Sequence, residues 1–306
     1  MNEQIRQSTD KPYNINLWVS DTDVAGGAAS EAAMEKVRAL YRPYFDEVGL
    51  EMAAKPLSFS SRFENQVQVI LDVKPPIFSF LFGMPSVQIL EDCRRRGIRT
   101  MGAATTLDEA LELEAAGVEM IVASGFEAGG HRPSFLAPAE KSLTGTFALV
   151  QLIRERVRVP VIAAGGIATG RGIAAALALG AEGVQVGTAF LACEESGAPS
   201  FYRDRLFSAA GQYSVITRAF TGRLGRGLRN KITEEISGKE ESILPFPLQT
   251  QFMSPLRQQA IAQNKLEMIL IWGGQITPLL KHRKAAELMH ALIEETTNYF
   301  DSKVFK

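Results

Sequence analysis

The sequence predicts an α/β fold: a TIM (β/α)8-type barrel that lacks its first two strands, followed by a C-terminal helical segment. Three observations carry this expectation. Short runs that are apolar on both faces alternate with amphipathic stretches every ~20 to 30 residues, the pattern of a parallel sheet covered by helices. The last two of these runs end in glycine turns, Ala164-Gly165-Gly166-Ile167 and Gln185-Val186-Gly187-Thr188. Beyond residue 190 the alternation stops, which divides the chain into a barrel over residues 1–195 and a helical segment over 196–306 that packs on the barrel mouth. Short, even spacing favours a barrel over an open doubly wound sheet. No G-x-G-x-x-G follows an early strand, which disfavours a Rossmann fold.

Taken in order, residues 13–19 (YNINLWV) form the first strand, and residues 29–44 carry helical apolar spacing at Ala33, Val37, Leu40 and Tyr44. The second strand, 77–82, follows Pro75-Pro76, and its helix over 86–96 should stop at Gly97, where glycine suits the left-handed C-terminal position. The third strand is 99–103 with a helix over 107–116; the fourth is 119–123 with a glycine-rich loop and a helix over 145–156. The fifth, 159–163, leads into a helix over 170–179 that Thr169 can cap, and the sixth is 183–186. A closed barrel needs eight strands, so two sheet edges are expected to lie open, a liability for aggregation.

Composition narrows the partners. With 306 residues, 46% of them apolar and 22% charged, and a formal net charge of -1, the chain carries no electrostatic footprint for nucleic acid or anionic lipid, which leaves small molecules. No apolar run approaches the ~18 residues of a membrane helix, and residues 1–11 lack the apolar core of a secretory signal, so a cytoplasmic location is expected. Cys93 and Cys193 are far apart and in no ligand-like spacing, as free thiols would be, and no metal cluster is visible.

Candidate chemistry centres on residues 124–132, S-G-F-E-A-G-G-H-R. Two adjacent glycines permit positive φ and close backbone approach, and His131 is the side-chain type that titrates near neutral pH unaided. Alone, the loop could equally be a solvent-facing turn. In (β/α) barrels, however, phosphate groups commonly sit at the loops after the last two strands, where Ala164–Ile167 and Gln185–Thr188 fall. Residues 221–230 interleave glycine with Arg223, Arg226 and Arg229, just after Arg218; this reads as a solvated basic stretch, with anion contact as the alternative. The Arg94-Arg95-Arg96 run suits a helix C-terminus. Residues 269–276 (ILIWGGQI) either bring a turn to the barrel mouth or pack Trp272 in the core.

These motifs resemble those of the nitronate monooxygenases, formerly called 2-nitropropane dioxygenases, a family of FMN-dependent TIM-barrel flavoproteins. The likeness spans roughly residues 11–275 and rests on N-L-W-V at 16–19, S-G-F-E-A-G-G-H-R at 124–132, A-A-G-G-I at 163–167 and Q-V-G-T-A-F at 185–190. The resemblance implies FMN as cofactor, His131 as the active-site histidine, and FMN contacts from Asn16, Ser124 and Gly129. It implies a phosphate site at Gly165, Gly166, Gln185, Val186, Gly187 and Thr188. The implied reaction is denitrification of an alkyl nitronate with O2 to a carbonyl compound and nitrite. His131, with an ordinary pKa near ~6.5, would hold the nitronate or take the α-proton of a neutral nitroalkane. A homodimer is compatible with this reading and not required by it.

Three departures from the family pattern stand out. Ser124 occupies the place of a flavin-touching glutamine, Pro133 that of a glycine, and the chain starts just ahead of the family's third strand, without the Q-x-P-M segment that packs on the flavin. It is therefore expected to be a shortened version of a longer protein. Two rival readings remain: a reductase of the same broad family, acting on enoyl-thioesters or as an NAD(P)H:quinone reductase, and an inactive truncated fragment.

Overall fold

The computed structural model describes residues 2–19, 27–52, 57–59 and 61–301, so Met1 and residues 302–306, the outermost ends of the two expected segments, lie outside it. In chain order come α1 (Asn2–Ser8), β1 (Asn14–Trp18), α2 (Glu31–Glu47), α3 (Phe63–Val73), β2 (Ile77–Leu81), α4 (Val87–Arg95), β3 (Arg99–Ala104), α5 (Leu107–Ala115) and β4 (Met120–Ser124). Then follow β5 (Gly130–His131), α6 (Thr146–Arg154), β6 (Val161–Ala164), α7 (Gly170–Ala178), β7 (Gly183–Gln185), α8 (Thr188–Leu191) and α9 (Ser200–Phe207). The last elements are β8 (Ser214–Thr217), β9 (Gly225–Leu228), α10 (Lys231–Glu235), α11 (Leu248–Ala262) and α12 (Ala285–Asp301).

Six strands pair in parallel in the order β1-β2-β3-β4-β6-β7, with β1 and β7 at the edges. Asn16 pairs with Ser79, Ala103 with Val122, and Ala163 with Val184. Residues from all six strands line one cavity, which requires the sheet to curl into a partial barrel. Apart from β1, which carries Asn14 and Asn16 on one face, the strands are rich in Ala, Ile and Val. Phe78, Ile121 and Ala163 are buried against Leu113, Leu149 and Ile153 of the covering helices, as expected for parallel strands with a helical coat. Four helices have the N-caps their sequences call for: Ser30, Ser86, Thr106 and Thr169 each accept a hydrogen bond from a first-turn backbone N–H.

Two parts of the fold differ from the sequence reading. The helix that covers β1 is α3, which the sequence reading passed over although Phe63, Val67, Ile70 and Leu71 follow helical spacing. The helix that was expected there, α2, instead buries Met34, Val37, Tyr41 and Phe45 in a second core with Phe252, Leu256 and Ile271 of the C-terminal segment. That segment is also not purely helical. β8 and β9 form an antiparallel hairpin, and β9 pairs with β5, giving a second sheet in the order β5-β9-β8. Gly225-Arg226-Gly227-Leu228 has no apolar alternation, so its strand character was invisible to a periodicity argument. No helix among the described residues is long and apolar enough to cross a membrane.

Candidate active site

Side chains two apart on a strand share a face. At the C-terminal ends of the strands this rule turns Ser79 and Leu81, Met101 and Ala103, and Val122 and Ser124 toward a cavity of about 220 Å³, with Asn16, Ala164 and Gln185 completing the ring. The loop after β4 and residues 274 and 276 form its other wall. Of the residues singled out by sequence, Asn16, Ser124, Gly129, His131, Gly165, Gly166, Gln185, Gly187 and Thr188 all line this cavity. Val186 does not; its side chain packs into the surrounding apolar clusters.

The two glycine turns give one end of the cavity its character. Gly165 and Gly166 have φ of 106° and 70°, values that a side chain would strain. The backbone N–H groups of Gly165, Gly166 and Gly187 donate to no protein acceptor among the described residues. Unpaired amides around a cavity suit an anion. Glu127, a lining residue that the sequence reading did not single out, keeps its carboxylate occupied at the start of α6: it accepts from Thr146 N–H at 2.8 Å and from the Thr146 hydroxyl at 2.9 Å.

Backbone contacts join the loop to residues 273–275. Gln275 N–H donates to the Glu127 carbonyl at 2.9 Å, and Gly274 N–H donates to Thr188 Oγ1 at 3.0 Å. Residues 269–276 therefore do bring a turn to the barrel mouth. A Cβ on Gly129 would lie 2.6 Å from Gly274 N and 2.8 Å from Gly273 C, both rigid backbone. Gly129→Ala is expected to lower stability by about 1 to 3 kcal/mol through this overpacking, read as a lower urea midpoint at unchanged slope.

His131 is placed by the hairpin. It pairs with Gly225 across the β5–β9 ladder, while Gly130 pairs with Arg226. Two buried arginines fix the approach to it. The Arg132 guanidinium donates to the Gly125 carbonyl at 2.5 Å and the Ser142 carbonyl at 2.8 Å. Arg226 donates from Nε to the Phe126 carbonyl at 3.0 Å and lies 4.3 Å over the Phe126 ring. The reading of residues 221–230 as a solvated basic stretch is thus corrected at Arg226, which is only 2% exposed and organises the loop, whereas Arg218 and Arg229 pair with Glu140 and Glu234 at the surface.

Around the imidazole stand Trp272, Trp18, Phe246 and Phe82, with centroids 4.8, 5.6, 5.6 and 5.9 Å away. Its Nε2 lies 2.8 Å from Thr221 Oγ1. Burial among these rings, followed by the nearby Arg223 charge, pushes the His131 pKa down to about 3, which corrects the expectation of an ordinary value. The ring is therefore neutral throughout the working range. Unfolding exposes a histidine that takes up a proton near ~6.5, whereas the folded state resists until about 3. Stability should be full above ~6.5 and fall as pH drops below it, by up to ~1.36 kcal/mol per pH unit from this group. His131→Asn is expected to flatten the fall in urea midpoint between about pH 6.5 and about pH 4.

Comparison with known proteins places these features in context. A family model described as nitronate monooxygenase matches residues 2–295. A probable nitronate monooxygenase of Staphylococcus aureus (strain Newman) is 36% identical over 302 residues, covering 98% of this chain and 84% of its own. Among solved structures, a nitroalkane oxidase from Streptomyces ansochromogenes superposes with a TM-score of 0.87 at 32% identity, covering 97% of this chain and 83% of its own. FabK from Thermotoga maritima superposes at 0.71 with 27% identity, covering 97% and 80%.

Proposed function

The chain belongs to the nitronate monooxygenase family, and from that premise we propose that it is an FMN-dependent enzyme converting an alkyl nitronate and O2 to a carbonyl compound and nitrite. The observation that carries this reading is the convergence on one cavity of a neutral histidine in an aromatic surround and two glycine turns with unpaired amides.

The residues present fit FMN. The N–H groups of Gly165, Gly166 and Gly187, with the Thr188 hydroxyl, suit its phosphate. Asn16, Ser124, Gly129 and Gln185 line the same cavity for the rest of the molecule, and Val186 would contribute through its backbone. When bound, FMN supplies the electron-accepting centre and the reactivity toward O2. The protein has the remaining work. Its aromatic side chains surround the imidazole, the Arg223 charge beside His131 favours an anion such as a nitronate there, and the described part of the C-terminal segment reaches the mouth through Trp272, Gly274 and Ile276.

With a neutral nitroalkane as substrate, His131 takes the α-proton. Transfer between two neutral partners creates an imidazolium next to a nitronate, so burial that penalises a lone imidazolium is offset by the new pair. A second reading is a reductase that draws electrons from NAD(P)H to an enoyl-thioester or quinone. In its favour is a mostly apolar cavity of about 550 Å³ that shares Gly129, Gly187 and Thr188 with the first and adds Phe190, Leu191 and Trp272, giving room for a bulky apolar group. Aerobic incubation with propyl nitronate should release nitrite in step with O2 uptake; flavin-loaded protein that forms no nitrite would contradict the proposal.

A further inference from the structure

Resting on the reading of His131 as the proton acceptor, we infer that Thr221 is a positioning residue that holds His131 in its Nε2–H tautomer, making Nδ1 the atom that takes the substrate proton.

One hydroxyl links the imidazole to the backbone of the hairpin. Thr221 Oγ1 is 2.8 Å from His131 Nε2 and 3.1 Å from the Arg223 carbonyl oxygen, and it also lies 3.4 Å from the Arg223 N–H. A threonine hydroxyl has one proton to give. The carbonyl can only accept, so the hydroxyl proton goes to Arg223 O and the oxygen's lone pairs face the two N–H groups. His131 must then carry its proton on Nε2. The opposite tautomer would leave an Nδ1–H without a protein acceptor beside aromatic rings, and would take the Thr221 proton away from the carbonyl. Nδ1 has no protein hydrogen-bond partner among the described residues, and His131 lines the cavity.

Backbone and side chain act together here. Thr221 is buried, and it precedes the strand whose Gly225 pairs with His131, so the hairpin fixes both the position of the ring and its proton. The elements packed on the imidazole present Trp18, Phe82, Phe246 and Trp272; among the described residues the charged group acting on it is Arg223, and no carboxylate of the described residues bonds Nε2–H. The step is a simple transfer. The α-C–H bond breaks, its electron pair stays with the substrate as nitronate, and the proton forms a bond to Nδ1.

The chain has three histidines, so imidazole nitrogen signals in ¹⁵N-histidine-labelled protein can be assigned to His131 by their loss in His131→Asn. In the wild type His131 is expected as the Nε2–H tautomer, unprotonated on Nδ1 down to about pH 5. Thr221→Val should mix the tautomers, while Thr221→Ser should keep the wild-type pattern. Turnover of neutral nitroalkane should fall ~10- to 100-fold in Thr221→Val, short of the ~10⁴-fold loss for a histidine fixed in the wrong tautomer. Turnover of preformed nitronate should stay within about twofold, and Thr221→Ser should restore the nitroalkane rate. An Nδ1–H tautomer in the wild type would overturn the inference, whether or not Thr221→Val folds. So would a Thr221→Val protein with unchanged nitroalkane turnover. If His131→Asn separates nitroalkane from nitronate and Thr221→Val does not, only the role of Thr221 falls; if His131→Asn separates nothing, the functional reading falls with it.

Discussion

Gly187→Asp is expected to yield a folded protein that does not retain FMN. A Cβ on Gly187 would meet nothing within 4 Å, and its φ of -99° is one that any residue adopts, so the substitution costs the fold little. Its carboxylate, however, would stand among the unpaired N–H groups proposed to hold the FMN phosphate, replacing attraction by repulsion. A weakening of FMN binding by at least ~100-fold, about 2.7 kcal/mol, is expected, seen as colourless protein after gel filtration with a melting temperature close to that of flavin-free wild type. Gly166→Asp should also lose FMN but is a less clean test. Its φ of 70° strains any side chain, and its Cβ would come 3.3 Å from Glu127 Cβ. Normal flavin content in Gly187→Asp would remove this turn from the cofactor site.

His131→Asn is expected to keep FMN while losing nitroalkane turnover by ~10² to 10⁴-fold, the usual contribution of a positioned base. Asparagine can still donate a hydrogen bond but cannot take a proton at neutral pH. A preformed nitronate has already lost that proton, so its turnover should fall far less. Because the wild-type imidazole is neutral down to about pH 3, the nitroalkane rate should show no histidine-like inflection near ~6.5. An inflection there that vanishes in His131→Asn would show that the ring titrates normally when the enzyme is loaded.

The parallel sheet and most of the candidate site were legible because their signals are local. Apolar runs such as residues 119–123 and glycine turns such as Gly165-Gly166 speak through a few adjacent residues, and the structure draws them to one cavity. What stayed hidden was set by contacts distant in sequence. Arg226 looks like a solvent residue until its partner, the Phe126 carbonyl, is seen 100 residues away. His131 looks like an ordinary histidine until Trp18, Phe82, Phe246 and Trp272, drawn from four separate stretches, close around it. Thr221 carried no signal at all, since a lone threonine in a glycine- and arginine-rich run fits many roles. α3 is different: its apolar spacing at Phe63, Val67, Ile70 and Leu71 was readable and was missed.

The source of electrons tests the central claim most directly. Flavin-loaded protein under argon is mixed with propyl nitronate and, separately, with NADH and NADPH, while the absorbance of the oxidised flavin is followed. The account predicts that nitronate bleaches the flavin rapidly and that neither nicotinamide does so at a comparable rate. Rapid bleaching by a nicotinamide, with no response to nitronate, would contradict it and make the protein a reductase.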